Sequence, residues 1–208
     1  MFENKKLVNE TEWTRVYAIG PDQLFYESKF IHDDLSVDAA DIKGRWSTFS
    51  ENEKLDFVRS FQSKDPMTAD DEEILEFLMQ VGSGSIWGTI ALPLARMKSS
   101  RRECALGFLI SRAAEETDVQ ANYYQALAEL GDSRAVPVLR GRYLRLQAKV
   151  TLNRPLEVFE DIIPYVDYLS CCAALYRLDG SDEYKQAIEQ MQGHADEKVR
   201  KQADVALR

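Results

Sequence analysis

Apolar positions recur at helical spacing along most of this chain, and near its end one phrase returns. From Val119 the sequence reads V-Q-A-N-Y-Y-Q-A-L, and from Val199 it reads V-R-K-Q-A-D-V-A-L. Both fit V-x-x-x-(A/Y)-x-x-A-L. On a helix those positions fall at i, i+4, i+7 and i+8, which makes one apolar face of small residues. Such a helix cannot bury its stripe alone, but a stack of them can. The pattern predicts Ala126 and Ala203 at close helix contacts.

The remaining elements follow from stripes and end signals. Ser50-Glu51-Asn52-Glu53 is a capping box with Phe49 placed as its staple, followed by Leu55, Val58 and Phe61 on one face. Thr68 with Asp71 opens the next helix, and the acids from Asp70 to Glu73 suit its positive end. Its stripe is Ile74, Leu75, Leu78 and Val81, and Gly82-Ser83-Gly84 stops it. A helix carrying Ile86, Ile90, Leu94 and Met97 comes next, with Pro93 predicting a kink or an early end. Three helix pairs then span about 100–113 with 117–131, 132–150 with 164–180, and 181–191 with 196–207. Cys104, Phe108 and Ile110 are expected inward on the first of these. Gly131, Gly180 and Gly193 stand where C-terminal caps are wanted.

Residues 1–49 are read as an N-terminal capping segment before a helical domain over 50–208. Two forms fit the segment. V-Y-A-I, G-P-D-Q and L-F-Y-E suit a hairpin around Gly20-Pro21. Pro21 at the first position of a helix suits an irregular or helical cap, which is preferred. Tyr17, Phe25, Tyr26, Phe30 and Trp46 supply apolar area for it.

Composition narrows the class. The chain has 208 residues, 45% hydrophobic and 29% charged, which suits a folded domain without staples. No apolar run approaches the ~20 residues that span a bilayer, and the first residues lack a signal-peptide core, so a cytoplasmic protein without membrane contact is expected. Cys104, Cys171 and Cys172 form no disulfide framework and read as reduced and buried. His32 and His194 have no ligand spacing to a cysteine, so neither a metal nor another cofactor is expected. The formal net charge is −9, which disfavours nucleic acid and favours a protein partner of basic character by steering.

L-G-D-S-R-A-V-P-V-L at 130–139 and H-A-D-E-K-V-R-K-Q-A-D-V-A-L at 194–207 resemble HEAT repeats, of the short bacterial type in which an Asp before V-R opens the second helix. The resemblance is clear over 100–208, weaker over 50–99 and absent over 1–49. Val119-Gln120 and Val166-Asp167 depart from V-R, and T-L-N-R-P-L-E-V-F-E-D at 151–161 is extra. The resemblance implies an all-α fold, an α-α superhelix whose second helices line a concave side that holds partners. Some relatives in this broad group are enzymes. The iron-binding deoxyhypusine hydroxylase type needs His-Glu pairs, which this chain lacks. The alkylpurine DNA glycosylase type needs aromatics and an acid in a basic groove, and it remains an alternative through Arg134, Arg140, Arg142, Arg145 and Lys149. The bland account of those residues is a solvated face paired with acids.

No phosphate loop or nucleophile elbow is present; G-S-G-S at 82–85 reads as a helix stop and cap. A non-catalytic protein-binding adaptor or scaffold is therefore expected, with a self-associating structural subunit as a further alternative. Its binding residues are expected to be Tyr124, Tyr165 and Tyr168 on second helices, with Asn153 and Arg154 in the inserted loop. The competing account is that these tyrosines pack between layers with their hydroxyls satisfied.

Overall fold

A computed structural model describes residues 6–10, 14–20, 23–28, 37–64, 66–98, 100–115, 121–152 and 156–207. The described residues are mostly helical, with ten α-helices and one small sheet. No helix among them is long and apolar enough to cross a membrane. The chain divides into two compact units, Met1–Arg102 and Glu103–Arg208.

The first unit opens with β1 (Lys6–Glu10), β2 (Thr14–Gly20) and β3 (Gln23–Ser28), an antiparallel sheet in sequence order. This corrects the preferred irregular or helical cap in favour of the hairpin. Val16 pairs with Tyr26 and Tyr17 with Phe25, so V-Y-A-I and L-F-Y-E are strands of β-branched and aromatic residues. Pro21 lies outside the described residues. α1 (Ala39–Arg45), α2 (Glu51–Ser60), α3 (Ala69–Val81) and α4 (Gly84–Ala95) follow, and β2 and β3 approach α2.

Local chemistry sets these helix ends. Ser50 and Glu53 form the expected capping box, as do Thr68 and Asp71. Asp71 is fully buried and takes Lys64 Nζ at 2.6 Å. Each box satisfies two of the N–H groups that a helix start leaves open. Glu72 accepts the Lys98 N–H at 2.7 Å, which ties the chain beyond α4 back onto α3. α3 stops where the backbone turns extended at Gly82 (φ −73°, ψ 171°), a place that suits glycine because a Cβ there would stand 2.7 Å from the Leu78 carbonyl oxygen and 2.9 Å from the Ile86 side chain. Val81, expected inward, is therefore exposed at the last turn. Pro93 lies inside α4, which ends two residues later at Ala95.

α5 (Arg102–Ala114) begins at the last residue of the first unit and belongs otherwise to the second, which also holds α6 (Ala121–Leu130), α7 (Val136–Gln147), α8 (Ile163–Asp179), α9 (Asp182–Met191) and α10 (Glu197–Ala206). α8 packs against α6, α7, α9 and α10. Its sequence explains that position. Tyr165, Tyr168, Leu169, Cys171, Cys172 and Leu175 are all buried, so its apolar residues run round much of the helix. Gly180 closes it at φ 72°, a conformation that costs a residue with a Cβ. Asp196 caps α10 through the Lys198 N–H. Ala126 and Ala203 are fully buried, as their places in the repeated phrase require.

On α5 the expected phase is corrected. Cys104 is exposed, and Ala105, Leu106, Leu109 and Ala113 face inward. Both 104–108 and 105–109 have four-residue spacing, but only the second series continues to an apolar residue at 113. Gly193 also departs from expectation, since it is not among the described glycines with positive φ.

Candidate binding site

The three tyrosines expected on a partner surface are interior. Tyr124 on α6 is fully buried, and Tyr165 and Tyr168 on α8 are nearly so. Tyr124 Oη accepts a hydrogen bond from Arg142 Nε at 3.1 Å. Burial pushes the Tyr124 hydroxyl pKa up, against the opposing pull of that bond. Tyr165 Oη donates to the Thr151 carbonyl at 3.0 Å, and its ring meets His194 edge-on at 4.9 Å. His194 Nε2 reaches the same carbonyl at 2.9 Å, while Nδ1 accepts the Asp196 N–H at 2.9 Å. Tyr168 stacks on Tyr143 at 5.7 Å, and burial raises its pKa as well. A tyrosine ring is stable inside when its hydroxyl finds a partner, which is the account these contacts support. The expectation for these three is corrected to packing. Asn153 and Arg154 lie outside the described residues.

The two buried thiols of α8 are held protonated. Cys171 Sγ donates to the Leu139 carbonyl at 3.3 Å. Burial first, then the neighbouring Cys172 thiol, pushes its pKa well above the usual thiol range. Cys172 is pushed up to about 12, again chiefly by burial. A thiol held protonated is a poor nucleophile. Among the described residues, no group of three or more His, Cys, Asp or Glu could hold a metal ion.

The arginines of α7 and the turn before it are engaged within the chain. Arg134 pairs with Asp132 at 2.8 Å and also binds Glu103. Arg140 pairs with Asp179 at 2.8 Å, and Arg145 donates to the Gly141 carbonyl at 3.2 Å. Arg142, expected on the same solvated face, is instead buried beside Tyr124.

A cleft of about 150 Å³ lies across α6, α8 and α10. Gln125 and Ala128 come from α6, Ser170, Ala173 and Arg177 from α8, and Val205 from α10. Its origin is legible on α8. Val166, Ser170, Ala173 and Arg177 fall at i, i+4, i+7 and i+11, one stripe of a helix. Ser170 and Ala173 have short side chains, so the neighbouring helices leave a gap above them. Val205 is 59% exposed at the cleft, a large apolar group left in water. Among the described residues lining the cleft there is no carboxylate, and Arg177 is the charged one. Among the described residues of this unit, Arg177 is also the arginine with no hydrogen bond or ion pair. A void of roughly 150 Å³ lodges a group about the size of benzene. The stripe's spacing stands in the sequence, but its signal is short side chains and not aromatic area.

Comparison of the chain with protein-family models, with curated proteins and with solved structures finds no match.

Proposed function

We propose that this chain is a non-catalytic protein-binding protein, built in its second unit from HEAT-like repeats, and that its partner docks on the face formed by α6, α8 and α10. The cleft across these three helices is the observation that carries the reading. In the repeat register they are the second helices of successive units, the row expected to receive partners. The packing of α8 against both helices before it in the row and after it, and the Asp132 and Asp196 caps, support the repeat assignment. An exposed Val205 beside short side chains supports docking, because a partner's apolar group gains from covering both.

The test is capture of partners from native extract by the wild-type chain and by Ala173→Trp, which fills the cleft. Circular dichroism must first show that the variant keeps its helices. The reading expects a protein held by the wild type and lost from Ala173→Trp. The same proteins held equally by both would place docking elsewhere.

A further inference from the structure

We infer that the occupant of the cleft is an acidic peptide segment, with one apolar side chain filling the void and a carboxylate beside it paired to Arg177. This rests on the protein-binding reading and specifies the chemistry of its partner.

Charge complementarity selects the occupant. The chain has 35 acids against 26 Lys and Arg, so a carboxylate for any arginine is easy to supply from within. The other described arginines of the second unit are engaged. Arg112, Arg134 and Arg140 bind carboxylates. Arg142 binds a tyrosine hydroxyl, and Arg145 and Arg200 bind carbonyls. Among the described arginines of this unit Arg177 is the one exposed without such a contact, and the described lining of the cleft beside it holds no acid. A guanidinium offers a planar fork that matches a carboxylate with two parallel hydrogen bonds.

The net charge of −9 argues for a basic partner at long range, but range decides between the two effects. Charges more than about 8 Å away are largely screened at physiological salt, whereas a group seated in the cleft touches Arg177 directly. The overall charge therefore slows or speeds the approach, and the arginine sets what is held. The void of about 150 Å³ admits one side chain such as Leu or Phe, so a peptide anchors there through a single residue. Gln125 and Gln202 add amide groups beside the void, suited to the polar backbone on either side of that anchor.

A random peptide library displayed on phage, selected on the wild type, on Arg177→Gln and on Ala173→Trp, tests this. The wild type is expected to enrich peptides in which Asp or Glu lies next to Leu, Phe or a similar residue. Selection on Arg177→Gln keeps the apolar residue and loses the acidic bias. Selection on Ala173→Trp loses both. For the best peptide, changing its acids to amides weakens binding about tenfold or more on the wild type and has little effect on Arg177→Gln, the pattern of a direct pair. Val205→Asp, a change at an exposed site, weakens the acidic peptide as well.

A wild-type selection without acidic bias, with basic bias or with no enriched peptide overturns the inference. So does a phosphopeptide form that binds more than about tenfold better than its glutamate form. Failure here is separable from failure of the binding reading. A partner from extract that is lost from Ala173→Trp but kept by Arg177→Gln leaves docking in place and removes the acidic chemistry. A partner kept by both variants removes both.

Discussion

In the first unit the rings of Trp46, Phe49, Phe57, Phe61 and Phe77 meet one another, with centroids 5.2 to 6.5 Å apart, whereas the second unit gathers four helices around α8. Both arrangements bury a core, but they leave different surfaces. Large rings in edge-to-face contact fill the space between α1, α2 and α3. Around α8 the packing uses tyrosines, cysteines and alanines. There the rings reach their hydroxyl partners on one side, and Ser170 and Ala173 leave a gap on the other. The same small residues that let helices approach also produce the cleft. Difference in side-chain volume, more than difference in fold, separates a face that is full from a face that can receive.

The comparison breaks most visibly at Phe57, which is fully buried and touches Trp46, Phe49 and Phe61. Phe57→Ala is expected to destabilise the first unit by about 3–5 kcal/mol, the usual cost of deleting a buried ring. Trp13, Trp46 and Trp87 all belong to that unit, so tryptophan fluorescence during denaturant unfolding reads it. An unchanged midpoint would show that the ring cluster is not what closes the unit.

A smaller effect tests the centre of the second unit. Tyr124→Phe removes the acceptor of the Arg142 Nε bond while keeping the ring, and is expected to cost about 1–3 kcal/mol. Far-ultraviolet circular dichroism against denaturant measures it. A cost near zero would mean that the ring alone matters, and would make the two cores alike in kind.

The smallest effect is electrostatic and distinguishes ion pairs from rings. The hydrogen bond from Lys43 holds the Glu73 carboxyl below its ordinary 4.5, as Arg134 does for Glu103 and Lys201 for Glu197. A carboxyl whose folded pKa is depressed contributes stability above the unfolded value and loses it as pH falls through the folded one. Stability is therefore expected to decline slightly below about pH 4.5, and less so in high salt, because these groups are solvent-screened. The midpoint of Phe57→Ala relative to wild type should stay constant over the same range, since rings do not titrate. A stability gain on acidification would contradict the pairing.

Much of the helical pattern was legible because its signals are local. Ser50 with Glu53 and Thr68 with Asp71 sit within one turn of the groups they satisfy, and Gly180 meets a backbone need of its own. The β1–β3 sheet was less legible, because Gly-Pro in a sequence suits both a hairpin and a helix start. Cys104 and Val81 were misplaced where two stripes of the same spacing compete or where a helix ends early. The site was hardest to read. Whether Tyr124 faces solvent or Arg142 depends on residues 18 positions apart, and no periodicity within α6 contains that information. The cleft, by contrast, leaves a trace in the Val166-Ser170-Ala173-Arg177 stripe, which becomes visible once absence of volume is sought instead of aromatic area.

The most direct test of the central claim compares two exposed apolar positions of the second unit. Val205 lies at the cleft and is 59% exposed, and Leu144 lies on α7 and is 64% exposed. Each is replaced in turn by a photo-crosslinking phenylalanine derivative, the chain is irradiated in native extract, and the joined peptides are sequenced. The account predicts a protein joined through position 205 at an acidic segment, with none joined through position 144. Equal capture through both positions, or capture through 144 alone, would contradict it.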